Sequence, residues 1–154
     1  MNEYMKEAID LSAKNLVDKY GGPFGAVVVK DGKIIGRGCN RVIADKDPTA
    51  HAEMKAIENA CDNINSYDLT GCTLYTSCYP CPMCLSAIIW SNIKKVYYAN
   101  TRKDADAIGF RDKIIYDFIE NKMDSDILDL EQIEQKEALE VFDKYKNDKN
   151  RVEY

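Results

Sequence analysis

The 154-residue sequence has no apolar run of membrane-spanning length, no excess of positive charge and only one histidine. Without a long apolar run, neither a transmembrane helix nor a signal peptide is expected, so we predict a cytoplasmic protein with no membrane partner. The net charge of -5 argues against a nucleic-acid partner, because phosphate backbones are bound by clustered Lys and Arg. No repeat or Gly/Ser linker divides the chain, which predicts a single domain over residues 1–154.

Cysteine, in contrast, is well represented, with six residues. In a protein without a leader, such cysteines favour metal binding or catalysis over disulfides. Three of them fall within the seven residues CYPCPMC at positions 78–84. The other three, Cys39, Cys61 and Cys72, are predicted to be small buried or half-buried residues.

The order of secondary structure indicates an α/β domain with a partly parallel sheet, because strands alternate with helices. Asp31-Gly32 between the first two strands favours a tight antiparallel hairpin. Asp47-Pro48-Thr49, at the end of a polar loop, predicts a capped helix start near His51. The predicted helices cover residues 3–20, 51–61, 82–91, 113–121 and 133–146, and the predicted strands cover 25–30, 33–39, 72–77 and 94–99.

Two short motifs predict a zinc site. His51, Cys81 and Cys84 offer the imidazole and thiolate ligands that zinc prefers, and three protein ligands leave a fourth position for water, as in catalytic sites. The spacing His-x-Glu followed by Pro-Cys-x-x-Cys matches the signature of zinc nucleobase deaminases, in which the Glu moves protons. Residues two apart on a helix point about 200° apart. His51 and Glu53 can therefore face one metal only where the chain enters the helix.

Other interpretations of these residues stay open at the level of sequence. A closed structural zinc site would recruit Cys78 as the fourth ligand, and a Cys-x-x-Cys pair alone could be a redox pair. In the catalytic hypothesis, Glu53 takes a proton from the attacking water and delivers protons to a ring nitrogen and to the departing amine. The backbone N–H of Cys81, at a helix start, would steady the developing oxygen.

From Gly21 to Cys84 the chain resembles the cytidine deaminase-like superfamily, and in detail the small bacterial guanine deaminases. The stretches GGPFGAVVVKDG, ADKDPTAHAE, LYTSCYPCPMC and DAIGFRDKIIY carry this resemblance. It implies a three-layer α/β/α fold with a mixed five-stranded sheet, a bound zinc ion, and hydrolytic deamination of guanine to xanthine and ammonia.

The resemblance also implies roles for five residues beyond the zinc motif. Asn40 matches a side chain that hydrogen-bonds the purine, and Asp112 matches a carboxylate facing the N–H groups of guanine. Phe24 and Trp90 would be aromatic walls of the pocket, and Tyr154 would close it.

A homodimer is implied in the same way, with the segment of about residues 122–154 exchanged between subunits. The competing functions are a tRNA adenosine deaminase, a deaminase of cytosine or another aminated heterocycle, and a zinc-stabilised scaffold without activity. The pI near 5.0 favours a free purine base over RNA as substrate.

Overall fold

The computed structural model describes residues 1–121 and 125–153, which fall into two compact units, Met1–Tyr116 and Asp117–Tyr154. Within the described residues there are seven helices and four strands. The helices are α1 (Glu3–Asp18), α2 (Val42–Asp45), α3 (Ala52–Ile64), α4 (Pro82–Trp90), α5 (Arg102–Ala107), α6 (Lys113–Glu120) and α7 (Gln135–Asn147). The strands are β1 (Gly25–Lys30), β2 (Lys33–Cys39), β3 (Thr73–Cys78) and β4 (Lys95–Asn100).

The sheet is mixed, with the strand order β2-β1-β3-β4. Strand β1 pairs antiparallel with β2 and β3, whereas β3 and β4 are parallel, as the alternation of strands and helices predicted. Asp31 and Gly32 both have positive φ, 48° and 73°, and so form the predicted tight hairpin.

The prediction of a fifth strand is wrong for residues 1–121 and 125–153, where the sheet has four strands. The chain turns into α5 directly after β4. Thr101 Oγ1 accepts a hydrogen bond from Asp104 N at 3.3 Å, and Asp104 Oδ2 accepts one from Thr101 N at 2.7 Å. This capping box starts helix α5.

Helices cover both faces of the sheet in the first unit. Gly25 faces α1, where an added Cβ would lie 2.2 Å from Ala8 O, whereas the neighbouring Ala26 packs in the core that α3 and α4 help to form. Helix α3 approaches β2 so closely that a Cβ on Gly38 would lie 2.2 Å from Ala52 O. This close approach fixes the first turn of α3 against the sheet.

The second unit contains α7 and the residues that follow it. Tyr145 donates a hydrogen bond from its hydroxyl to Val152 O, and Arg151 Nη1 donates to Lys146 O at 3.0 Å, so the chain folds back along the helix. The exchange of residues 122–154 with a partner stays a prediction, and Tyr154 lies outside the described residues. No helix in the part of the chain that the structure describes is both long enough and apolar enough to cross a bilayer.

Candidate active site and metal centre

The first turns of two helices bring His51, Cys81 and Cys84 together. His51 is the N-cap of α3 and Cys81 the N-cap of α4, and both have extended backbone conformations, with ψ of 161° and 167°. Each therefore precedes its helix, as the His51–Glu53 spacing required. The predicted cap at Asp47 is wrong, because Asp47 Oδ1 instead accepts hydrogen bonds from Thr49 N at 2.8 Å and Thr49 Oγ1 at 2.7 Å in a local turn.

The separations of the three ligand atoms fit zinc. His51 Nδ1 lies 3.6 Å from Cys81 Sγ and 3.6 Å from Cys84 Sγ, and all three atoms lie within 4.8 Å of one another. Zinc–sulfur and zinc–nitrogen bonds of ordinary length, at the tetrahedral angle, place such atoms about 3.6 Å apart. One ring nitrogen at the same distance from two sulfurs is the arrangement expected of three ligands around one metal ion. A shared metal ion accounts for both distances.

The pKa shifts distinguish Cys81 and Cys84 from Cys78, the third cysteine of the same motif. The pKa of Cys81 is lowered to about 4, mainly by its interaction with Cys84 and then by His51, which favours the thiolate form that binds zinc. The pKa of Cys84 is raised by the neighbouring Cys81 sulfur, by burial and by the charge of Glu53. The pKa of His51 is raised mainly by its hydrogen bond to Cys81. Burial raises the pKa of Cys78 to about 11, and its neutral thiol points to Thr101 O at 3.7 Å.

Glu53 lies beside these sulfurs and is only 6% exposed. Thr76 Oγ1 donates a hydrogen bond to Glu53 Oε1 at 2.8 Å, and Oε2 lies 3.5 Å from Cys84 Sγ. Burial raises the pKa of the Glu53 carboxyl, against the hydrogen bonds that lower it. The carboxyl therefore holds a proton more readily than a surface glutamate does, which suits a group that accepts and returns protons.

A cavity opens beside Glu53. It is lined by Phe24, Asn40, His51, Ala52, Glu53, Cys78, Tyr79, Cys81, Ala105, Phe110 and Asp112. The rings of Phe24 and Phe110 meet edge to face with centroids 4.7 Å apart and form an apolar wall. Asp112 adds a carboxyl whose pKa is raised mainly by burial. The cavity thus combines apolar walls with a few polar groups, as small-molecule sites do.

The structure brings most of the predicted substrate residues into this cavity. Phe24, Asn40 and Asp112 line it. Trp90 does not: α4 turns Cys84 and Ile88 toward the core, and the Trp90 side chain at the end of the helix is 74% exposed.

Sequence reasoning missed Thr76 and Phe110 as site residues. Thr76 is fully buried in β3, and nothing in its sequence context marks it as a partner of Glu53. Phe110 follows α5 in a turn, and only its contact with Phe24 reveals its place. The motif GFRD, which contains Phe110, is the one signal that pointed to this segment.

The mixed sheet, the two ligand-bearing helix starts and the adjacent buried carboxyl define a zinc-dependent deaminase. Residues 1–100 match the cytidine and deoxycytidylate deaminase zinc-binding region, and the chain belongs to this family. The predictions of this family and of zinc as its metal are therefore confirmed.

The relatives differ in how much of the chain they match. The chain is 44% identical to guanine deaminase of Bacillus subtilis (strain 168) over 98% of its own length and 97% of the relative. The X-ray structure of guanine deaminase from Bacillus subtilis matches with a TM-score of 0.92 at 43% identity, covering 100% of this chain and 99% of that one. A tRNA-specific adenosine deaminase of Aquifex aeolicus (strain VF5) is 44% identical, but over 63% of this chain and 64% of its own. The structure of NE0047 in complex with 2,6-diaminopurine matches with a TM-score of 0.68 at 35% identity, over 71% of this chain and 61% of that chain.

Proposed function

We propose that the protein is a zinc-dependent guanine deaminase, which hydrolyses guanine to xanthine and ammonia. The observation that carries this proposal is the buried Glu53 carboxyl, 3.5 Å from Cys84 Sγ, in the wall of a cavity that also holds Asn40 and Asp112. The likeness to a guanine deaminase over nearly the whole chain supports the choice of substrate.

His51 Nδ1 and the sulfurs of Cys81 and Cys84 would hold the zinc ion. When bound, zinc would act as a Lewis acid and lower the pKa of a water molecule from about 15.7 to about 7. Glu53 accepts a proton from the attacking water at Oε2, since Oε1 is engaged by the Thr76 hydroxyl. The same carboxyl gives this proton to the ring nitrogen next to the reacting carbon, takes a second proton from the hydroxyl group added to that carbon, and passes it to the departing amine.

Asn40 and Asp112 orient the purine by complementary hydrogen bonds. Asn40 Oδ1 accepts from Val42 N at 3.1 Å, which leaves the Nδ2 donors for a carbonyl oxygen of guanine. The Asp112 carboxylate accepts from guanine N–H groups, and the Phe24 and Phe110 rings contact the faces or edges of the base. A site matched in this way discriminates strongly, because an analogue without the partner groups leaves buried polar atoms unpaired.

We also propose that the protein works in the cytoplasm as a homodimer whose C-terminal segment, about residues 122–154, reaches the partner subunit. Apolar side chains left exposed in the single chain support this, among them Trp90 (74%), Val141 (61%) and Phe142 (70%). Sedimentation equilibrium tests the dimer: a mass near twice 17.5 kDa is expected, and a monomer at micromolar concentration would contradict it.

Ammonia release tests the proposed reaction. Zinc-loaded protein is incubated separately with guanine, adenine, cytosine and a tRNA anticodon stem-loop. Guanine alone should release ammonia, with xanthine as the other product. Release from the stem-loop alone would establish the tRNA deaminase instead, and release from cytosine alone would establish a pyrimidine enzyme. No release from any of the four would favour an inactive zinc-stabilised scaffold.

A further inference from the structure

A buried asparagine outside every sequence motif joins two segments of the cavity wall. Asn15 lies in the last turns of α1 and is 3% exposed. Its Nδ2 donates hydrogen bonds to Gly22 O and to Asn40 O, both at 2.7 Å. These two donations are the hydrogen bonds that the Asn15 side chain makes within the described residues.

The Asn15 contact and two further hydrogen bonds hold Asn40 in one orientation. Asn40 N donates to Phe24 O at 3.1 Å, and Asn40 Oδ1 accepts from Val42 N at 3.1 Å. The side-chain amide lies so close to Gly21 that a Cβ there would be 1.9 Å from Asn40 Oδ1. With its backbone N–H, its carbonyl and its Oδ1 engaged, Asn40 keeps Nδ2 for a ligand in the cavity that it lines.

The second acceptor, Gly22 O, belongs to a residue that lies against the aromatic wall. It also accepts from Phe24 N at 2.9 Å, so the Asn15 amide and the Phe24 backbone meet at one carbonyl. A Cβ on Gly22 would lie 2.6 Å from the Phe110 ring and 2.8 Å from the Phe24 ring, so this segment backs directly onto both rings. The Asn15 amide therefore connects the backbone beside the Phe24 and Phe110 rings to the backbone of Asn40.

We propose that Asn15 is a positioning residue for substrate recognition. By cross-linking the carbonyls of Gly22 and Asn40, its amide presents Asn40 Nδ2 to a carbonyl oxygen of the purine at the correct distance from Glu53. This role rests on the proposed guanine deaminase function. Because Asn15 acts mainly through Asn40, most of its effect on the reaction disappears when the Asn40 amide is removed.

A double-mutant cycle on guanine turnover tests this dependence. Asn15→Leu, which removes both donors at similar volume, should lower kcat/KM between about 10-fold and 100-fold, since small misplacements of a binding group have effects of this size. Most of the loss should appear in KM, with zinc content unchanged. In an Asn40→Ala background, the same change should lower kcat/KM less than about 3-fold. Equal losses in both backgrounds would overturn the proposal.

Asn63→Leu is the matched control. Asn63 Nδ2 donates to a backbone carbonyl, Ile35 O, at 2.8 Å, but Asn63 does not line the cavity. Its replacement should leave kcat/KM for guanine within about 2-fold of the wild-type value, the ordinary result for a surface substitution. A loss as large as that of Asn15→Leu would show that any such amide has this effect and would contradict the assignment.

Gly21→Ala disturbs the Asn40 side-chain amide without changing Asn15. It tests the proposal if Asn15→Leu does not fold. The added methyl group must displace Asn40 Oδ1, so a comparable loss in kcat/KM is expected, again absent in the Asn40→Ala background. Unchanged turnover by Gly21→Ala would overturn the proposal. A wild-type protein inactive on guanine would overturn both the proposed function and this role, whereas an active wild type with additive losses would overturn this role alone.

Discussion

Replacing Glu53 by Gln removes the proposed proton carrier and little else. The amide has nearly the shape of the carboxyl, and its oxygen can still accept the hydrogen bond that Thr76 Oγ1 gives to Oε1 at 2.8 Å. The new NH₂ group takes the place of Oε2, 3.5 Å from Cys84 Sγ, where it can donate weakly to sulfur. Zinc binding and folding should therefore survive.

The expected size of the effect follows from the two proton transfers that we propose for Glu53. A positioned general acid or base contributes about 10²- to 10⁴-fold to a rate. One group acts here as base and then as acid, and no other carboxyl is hydrogen-bonded beside the sulfurs within residues 1–121 and 125–153. We expect kcat for guanine to fall at least about 10³-fold, which corresponds to about 4 kcal/mol of transition-state stabilisation.

The assay compares ammonia release, zinc content by atomic absorption and thermal unfolding for the wild type, Glu53→Gln and Glu58→Gln. Glu58 is a matched control, because it lies on the same helix but pairs with Lys55 at the surface. Glu58→Gln should keep kcat within about 2-fold. If Glu53→Gln retains ordinary turnover with zinc bound, Glu53 is not the proton carrier.

Four further substitutions test other parts of the site. Thr76→Val removes the hydroxyl that holds Glu53 Oε1, so kcat should fall about 10-fold with zinc content unchanged; an unaltered kcat would show that this hydrogen bond does not orient the carboxyl. Cys78→Ser should keep one zinc per chain, because the pKa of the Cys78 thiol is raised to about 11 and its Sγ points to Thr101 O. Cys84→Ser, in contrast, should lose the metal. Zinc loss by Cys78→Ser would indicate a closed site with four protein ligands. Asp112→Asn should lower kcat/KM for guanine about 10²-fold, since the new NH₂ group faces purine N–H donors, and wild-type kinetics would remove Asp112 from the site.

Local chemistry made much of the fold predictable. Asp31-Gly32 specified the hairpin because both residues take positive φ readily, and Pro82 marked the start of α4 because its fixed φ suits the first position of a helix. The convergence of His51, Cys81 and Cys84 was predictable because each motif falls at a helix start, where the chain is still extended.

Features set by distant contacts were not predictable. The polar loop over residues 40–48 contains the short helix α2, whose amides at Ile43 and Ala44 both bond to Tyr20 O, a partner more than twenty residues away. The roles of Thr76 and Asn15 depend on bonds to residues 23 and 25 positions away, which neither periodicity nor motif spacing records. The resemblance placed Trp90 in the wall of the pocket, but the packing of α4 turns its side chain outward.

Zinc K-edge X-ray absorption on the purified protein tests the central claim most directly, because it counts the atoms around the metal. An open site held by His51, Cys81 and Cys84 predicts two sulfurs at about 2.3 Å and two lighter nitrogen or oxygen atoms at about 2.0–2.1 Å. Three sulfurs, or a protein without stoichiometric zinc, would contradict it.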